Sequence, residues 1–253
     1  MMLIGILLIL IGLMLPSLSH ARGRAFEAKC LMEMRDNAVM LHLYGGENRD
    51  SWPMGFERGE GGWEGARGAA LQDNEEYLSV AMYWPLAMRE SYKNDSLHPA
   101  LMCPADGDTE AMLDEVGEQL GVDPHQLLFP QDRVLSMAFY AKPGWLRGDV
   151  EGWDHAGGTV GKISMVRYPS SKAAIFDGLP YHDERWVSVY EPSPLPPYRI
   201  SVAAVDTSAA FRGTDEVLPV VLTEGPFEGE ISEVRRAMGV FGLTKDGWLG
   251  RDW

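Results

Sequence analysis

The chain has 253 residues, 45% of them hydrophobic, enough for a core. Setting an N-terminal helix aside leaves roughly 205 residues for one domain with insertions. A formal net charge of −15, with no basic run longer than Arg235-Arg236, argues against nucleic-acid binding, because neutralising phosphates needs a Lys/Arg surface. An acidic ectodomain stays soluble and repels anionic surfaces.

The first element is a run of apolar and glycine residues, Met1 to Leu15, that carries no charge and ends at Pro16. At about 1.5 Å per residue it gives roughly 22 Å of helix, short of the roughly 20 residues that a hydrocarbon core of about 30 Å requires. Ser17, Leu18 and Ser19 extend it, while Pro16 lacks an N–H and favours a kink. Ser19-His20-Ala21 would suit a signal peptidase, but the first cations, Arg22 and Arg24, follow the run, whereas a secretory leader opens with them. Both the shortness and the missing basic leader would vanish if further residues preceded Met1.

From Leu18 the apolar residues fall at Leu18, Ala21, Ala25, Ala28, Leu31, Met34, Ala38 and Leu41, three or four apart, which predicts one helical stripe as far as about Tyr44 and a stop at Gly45-Gly46. The part nearest Tyr44 is expected to pack on its own domain. The Ala-rich part suits close packing against another helix, with Gly5, Gly12, Leu18, Ala21, Ala25, Ala28 and Leu31 as its assembly face.

Asn48 to Gly68, rich in Gly, Glu and Trp, reads as a loop. Helices are predicted over Leu71 to Met88, ended by Pro85, and over Thr109 to Leu120, capped by Asp108 or Thr109 and stopped by Gly121. Strands are predicted at Val134 to Ala141, Lys162 to Val166, Ala173 to Phe176, Trp186 to Tyr190, Ile200 to Val205 and Val217 to Leu222. A long helix followed by an antiparallel sheet is an α+β order. The expected organisation is a membrane part over 1–19, an amphipathic part of the same helix over 20–46, and a globular domain over 47–253.

Catalytic patterns are weak. Gly157 to Lys162 has its outer glycine one residue too close for a phosphate loop, and Ile163 stands where Ser or Thr would hold magnesium. There is no Gly-x-Ser-x-Gly elbow and no His-x-x-x-His pair. No catalytic residue, metal ligand or resident cofactor is therefore assigned. Asp177, His182, Asp183 and Glu184 form a polar cluster around Pro180 that reads as a solvated loop in preference to a metal site. Asp106, Asp108 and Glu110 offer hard oxygen ligands suited to calcium, without the full spacing of a calcium loop. Trp52, Trp63, Trp145 and Trp153, in Gly-rich surroundings, read as covering a loop-rich core. The alternative is a set of sugar-stacking platforms on a secreted or anchored carbohydrate-binding or cell-wall-binding protein with a cleaved signal peptide. Cys30 and Cys103 are compatible with one disulfide in an oxidising compartment and equally with two buried free thiols.

Five signals occur in order near the front of the chain: the apolar run, Leu15-Pro16-Ser17-Leu18, Arg22 to Arg24, Cys30-Leu31 with Arg35, and Leu41 to Asn48 with Tyr44, with Pro53 closing the matching stretch. This stretch resembles the opening of type IV pilin-like proteins and type II secretion pseudopilins. Cys103-Pro104-Ala105-Asp106, Ile163 to Asp177 with Tyr168-Pro169-Ser170, Tyr198 to Phe211 and Gly239 to Trp253 extend the likeness more weakly, with Thr207-Ser208 after Asp206 where the family continues with glycine. Aligned on the Pro16 step, Met1 already lies beyond the glutamate that guides docking in the family, so no residue takes the peptidase or docking role. The resemblance implies a pilin-like fold and a non-enzymatic subunit. It would be held single-pass in the inner membrane, with its C-terminal domain in the periplasm and other pilin-like subunits as partners through the helix. A disulfide between Cys30 and Cys103 would tie the exposed end of that helix to the domain.

Overall fold

The computed structural model describes residues 2–53, 56–59, 62–65, 84–88, 90–93, 98–105, 118, 133–139, 161–178, 181–182, 198–217 and 249–253. Its first element is a 46-residue helix, α1 (Met2–Glu47), with Pro16 inside it. A two-stranded hairpin follows, β1 (Phe56–Gly59) with β2 (Gly62–Gly65). The main sheet comprises β3 (Arg133–Leu135), β4 (Ala173–Asp177), β5 (Arg199–Ala204) and β6 (Ala209–Gly213), ordered β3-β4-β5-β6 and antiparallel throughout. One long helix and a four-stranded antiparallel sheet make the chain an α+β protein.

The sequence period of α1 separates into two uses. Every described position from 4 to 25 is exposed, including Ile4, Leu10, Met14, Leu15 and Leu18, whose exposures run from 51% to 68%. Burial sets in at Cys30, and Met34, Ala38 and Leu41 enter the core as α1 lies across β5 with β4 and β6 beside it. They meet Val134 and Leu135 of β3, Ala173 to Phe176 of β4, and Ile200, Val202 and Ala203 of β5. Among the described residues, no helix is long and apolar enough to cross a membrane.

The helix runs three residues past Tyr44, through both glycines expected to stop it. Gly45 is helical, and Ile163 packs where a Cβ would be. The left-handed conformation that ends the helix is taken by Arg49 and Asp50 instead, at φ of 56° and 68°. Asn48 closes the end, its backbone N–H (2.9 Å) and its side-chain amide (2.8 Å) both donating to the Tyr44 carbonyl. Asp50 then fastens this end to the sheet domain. Its carbonyl accepts from the Ile163 N–H at 3.0 Å, and its carboxylate accepts from the Ser164 N–H and hydroxyl. Those bonds hold Ile163–Met165 in a single 3-10 turn, where the sequence predicts a strand.

Other expectations shift in the same way. Ala173 to Phe176 and Ile200 to Val205 are strands within one residue of their expected bounds, whereas the Val134 strand ends at Leu135 and yields to a 3-10 turn at Met137–Phe139. The hairpin lies within the stretch read as a loop, and Trp84–Met88 is a 3-10 turn with Pro85 inside it. The helix over Thr109 to Leu120 falls outside the described residues except Glu118, which is helical. Residues 71–83, 140–141, 186–190 and 218–222 also fall outside them, as do Trp145 and Trp153.

Trp52 is 2% exposed and stacks on Phe139, with ring centroids 3.8 Å apart and planes at 16°, so it is a core residue. Its indole N–H has no hydrogen-bond partner among the described residues. Trp52→Ala is expected to cost about 3–5 kcal/mol in chemical unfolding. Trp52→Phe, which keeps a ring and removes the unbonded N–H, should cost less than about 1.5 kcal/mol.

Candidate functional site

The register of the sheet places a polar row against the helix. Arg133 of β3 is directly opposite Asp177 of β4, and Ser201 of β5 is next to Val202, which pairs with Phe176. All three are buried, at 0%, 1% and 0% exposure. The Arg133 guanidinium forms an ion pair with Asp177 through Nη1, and the Ser201 hydroxyl donates to the other carboxylate oxygen. Nη1 also reaches Cys30 Sγ at 3.3 Å, while Nη2 donates to the Met102 carbonyl at 3.1 Å and meets Glu33 Oε2 at 3.5 Å. Cys30 and Glu33 come from α1, one turn apart, so the helix delivers both to the same guanidinium.

Beside this row, three segments bring ligating atoms together. Cys30 Sγ lies 3.3 Å from Ser201 Oγ and 3.6 Å from Asp177 Oδ2. Cys103 follows the 3-10 turn Pro99–Leu101, and its sulfur lies 3.2 Å from His182 Nε2. The two sulfurs and the imidazole nitrogen all lie within 4.8 Å of one another. His182, in the turn after β4, presents its ring to Phe211 of β6 edge-on, at 5.3 Å and 75°. Both cysteines are buried with no disulfide between them, and His182 is half-buried.

The charges are unequal. Cys30 is brought down to about 3, foremost by the hydrogen bond from the Cys103 thiol, which outweighs the opposing effect of burial; His182, Arg133 and Ser201 act in the same direction. Cys103 is pushed up by giving that hydrogen bond, then by burial and the charge of Asp177. The two shifts run in opposite directions, toward thiolate at Cys30 and toward thiol at Cys103. Burial alone would lower the Arg133 pKa, but the charges of Asp177 and Cys30 reverse this and keep the guanidinium charged. Burial also raises Glu33, against the pull of Arg133 and Lys29.

Several residues singled out in the sequence are brought into this structure. Cys30, Cys103, Asp177 and His182 converge, and the reading of Asp177 as part of a solvated loop is overturned by its burial, while His182 is half-buried in the turn after β4. Arg133, Ser201 and Glu33 carried no sequence signal. Tyr44 and Asn48 form the helix end, and Pro53 is buried beside Trp52 in sequence. Pro104 is partly buried beside Cys103, whereas Pro16 is on the exposed half of α1. Arg22 is exposed there too, over the ring of Phe26 at 5.3 Å. Arg35 lines an open groove of about 500 Å³ with Leu31, Met32 and the turn 206–208. The calcium candidates Asp106, Asp108 and Glu110, together with Asp183, Glu184 and residues 157–160, lie outside the described residues. Gly12 has open space on its Cβ side, and Leu18, Ala21, Ala25 and Ala28 are exposed. Leu31 is half-buried at the groove, and the side-chain surroundings at Gly5 lie outside what is described.

Comparison with known protein families, with curated proteins and with solved structures gave no match.

Asp177→Ala is expected to lower stability by about 3–5 kcal/mol, because it removes the carboxylate that faces a fully buried guanidinium. The double replacement Arg133→Met with Asp177→Leu should cost less than Asp177→Ala alone. Denaturant midpoints at constant m-value would check both expectations.

Proposed function

We propose that this chain is a non-enzymatic, membrane-anchored subunit of pseudopilin-like design that assembles helix to helix with other pilin-like subunits in a type II secretion or type IV pilus-like system. The carrying observation is the division of α1. One half is packed on the sheet, and the other half is exposed at every described position, with Ile4, Leu10, Met14, Leu15 and Leu18 among its large apolar side chains. Exposed apolar surface of that kind is characteristic of a surface that meets lipid or a partner. The small residues Gly12, Ala21, Ala25 and Ala28 would let neighbouring helices approach closely. The open groove at Leu31, Met32 and Arg35 continues that face toward the domain. In this reading the apolar run enters the inner membrane, the sheet domain stands in the periplasm, and the order of motifs from Pro16 to Asn48 supports the assignment.

Trp52 gives no support to sugar binding, since its ring is stacked in the core.

Ala25→Leu with Ala28→Leu should leave the sheet domain folded, as both positions are exposed. It should reduce photo-crosslinking between copies in membranes, from a probe at position 18, by about tenfold, the equivalent of roughly 1.4 kcal/mol of lost helix packing. Unchanged crosslinking would defeat the assembly reading. An N-terminal mass that begins at Arg22 would instead favour a cleaved leader.

A further inference from the structure

We propose that Cys30, Cys103 and His182 form a binding site for one thiophilic d10 cation of the zinc class. The donor set is two sulfurs and one imidazole nitrogen, a combination that selects zinc-like ions over calcium or magnesium. In tetrahedral zinc sites, bonds of about 2.3 Å to sulfur and about 2.0–2.1 Å to nitrogen put neighbouring ligand atoms roughly 3.5–3.8 Å apart. The three donor atoms already fall within 4.8 Å of one another, with Cys103 Sγ and His182 Nε2 at 3.2 Å, so binding needs only small side-chain adjustments.

Charge and access agree with this assignment. Asp177 already balances Arg133, so in the bound form the two thiolates neutralise a dication. Coordination forms two metal–sulfur bonds and one metal–nitrogen bond, releases the Cys103 thiol proton to solvent and leaves every oxidation state unchanged. His182 is half-buried, so the ion has an approach from that side and a fourth position open to water or an outside ligand. The Cys30 sulfur is embraced by Arg133 and Ser201, and the His182 ring rests on Phe211, which supplies the outer support that fixes ligand orientation. A Cys30–Cys103 disulfide would use the sulfurs alone and would give His182 Nε2 no role, although this nitrogen stands 3.2 Å from Cys103 Sγ.

The test uses the full chain, purified in detergent with a reductant and stripped with a chelator. Titration with Co²⁺, followed by displacement with Zn²⁺, should show a thiolate-to-cobalt charge-transfer band saturating at one ion per chain. His182→Ala, a change in a half-buried turn, should weaken binding by at least about a hundredfold, since even outer-shell losses cost 10–100-fold. Cys103→Ser should abolish the band at the same ion concentrations, with circular dichroism confirming that each variant folds. The proposal is overturned if the reduced chain gives no such band, or if His182→Ala titrates like the parent. It is also overturned if the two sulfurs form a disulfide and the chain takes up no zinc after reduction.

Discussion

The buried guanidinium of Arg133 is the constraint around which the described parts of the domain are ordered. A charge without access to water needs acceptors, and the two Nη atoms of Arg133 find them on four separate segments, while its Nε has no partner among the described residues. These are Glu33 and Cys30 on α1, the Met102 carbonyl, Asp177 on β4 and Ser201 on β5. Desolvation takes back much of what the ion pair contributes, so its main effect is on alignment. A slip of one residue between β3 and β4 would send Asp177 to the opposite face of the sheet and strand the guanidinium.

A second buried pair anchors the far end of the chain by the same logic. Lys172, just before β4, meets Asp252 at 3.1 Å, and the other Asp252 oxygen accepts from the Ala173 N–H at 2.6 Å. The Asp252 backbone N–H donates to the Ser171 carbonyl at 2.8 Å. Arg212 and Arg251 cover Trp253 and Tyr168 with their guanidinium faces. β4 is therefore held by ionic contacts at both ends, Lys172 at its start and Asp177 at its finish.

The long helix and the two central strands were legible because their signals are local. A three-to-four spacing marks α1, and short apolar runs mark β4 and β5. What the sequence misjudged depends on partners far along the chain. Ile163 to Met165 has strand composition, yet Asp50 captures its backbone donors, and β6 has little β-branched content but is shaped by its ladder with β5. Gly45 and Gly46 resemble a helix stop, while Gly45 is needed for the approach of Ile163. At the site, two cysteines in the whole chain were an obvious pair to weigh. Asp177 and His182 flank a proline among polar neighbours, the usual look of a solvated loop, and a single arginine before an apolar run gives no hint that it will be buried.

The two halves of α1 also differ mechanically. The exposed stretch to about Ala25 extends roughly 36 Å, and it is continuous with the packed stretch through unbroken helix. A pull along this axis reaches Cys30, Met34, Ala38 and Leu41 in shear, so these contacts bear the load together and none can be peeled away first. A force applied across the axis would instead lever the helix outward from Cys30, the first fully buried residue on it. The fold thus resists tension far better than bending, and its weak direction opens at the cluster of sulfurs.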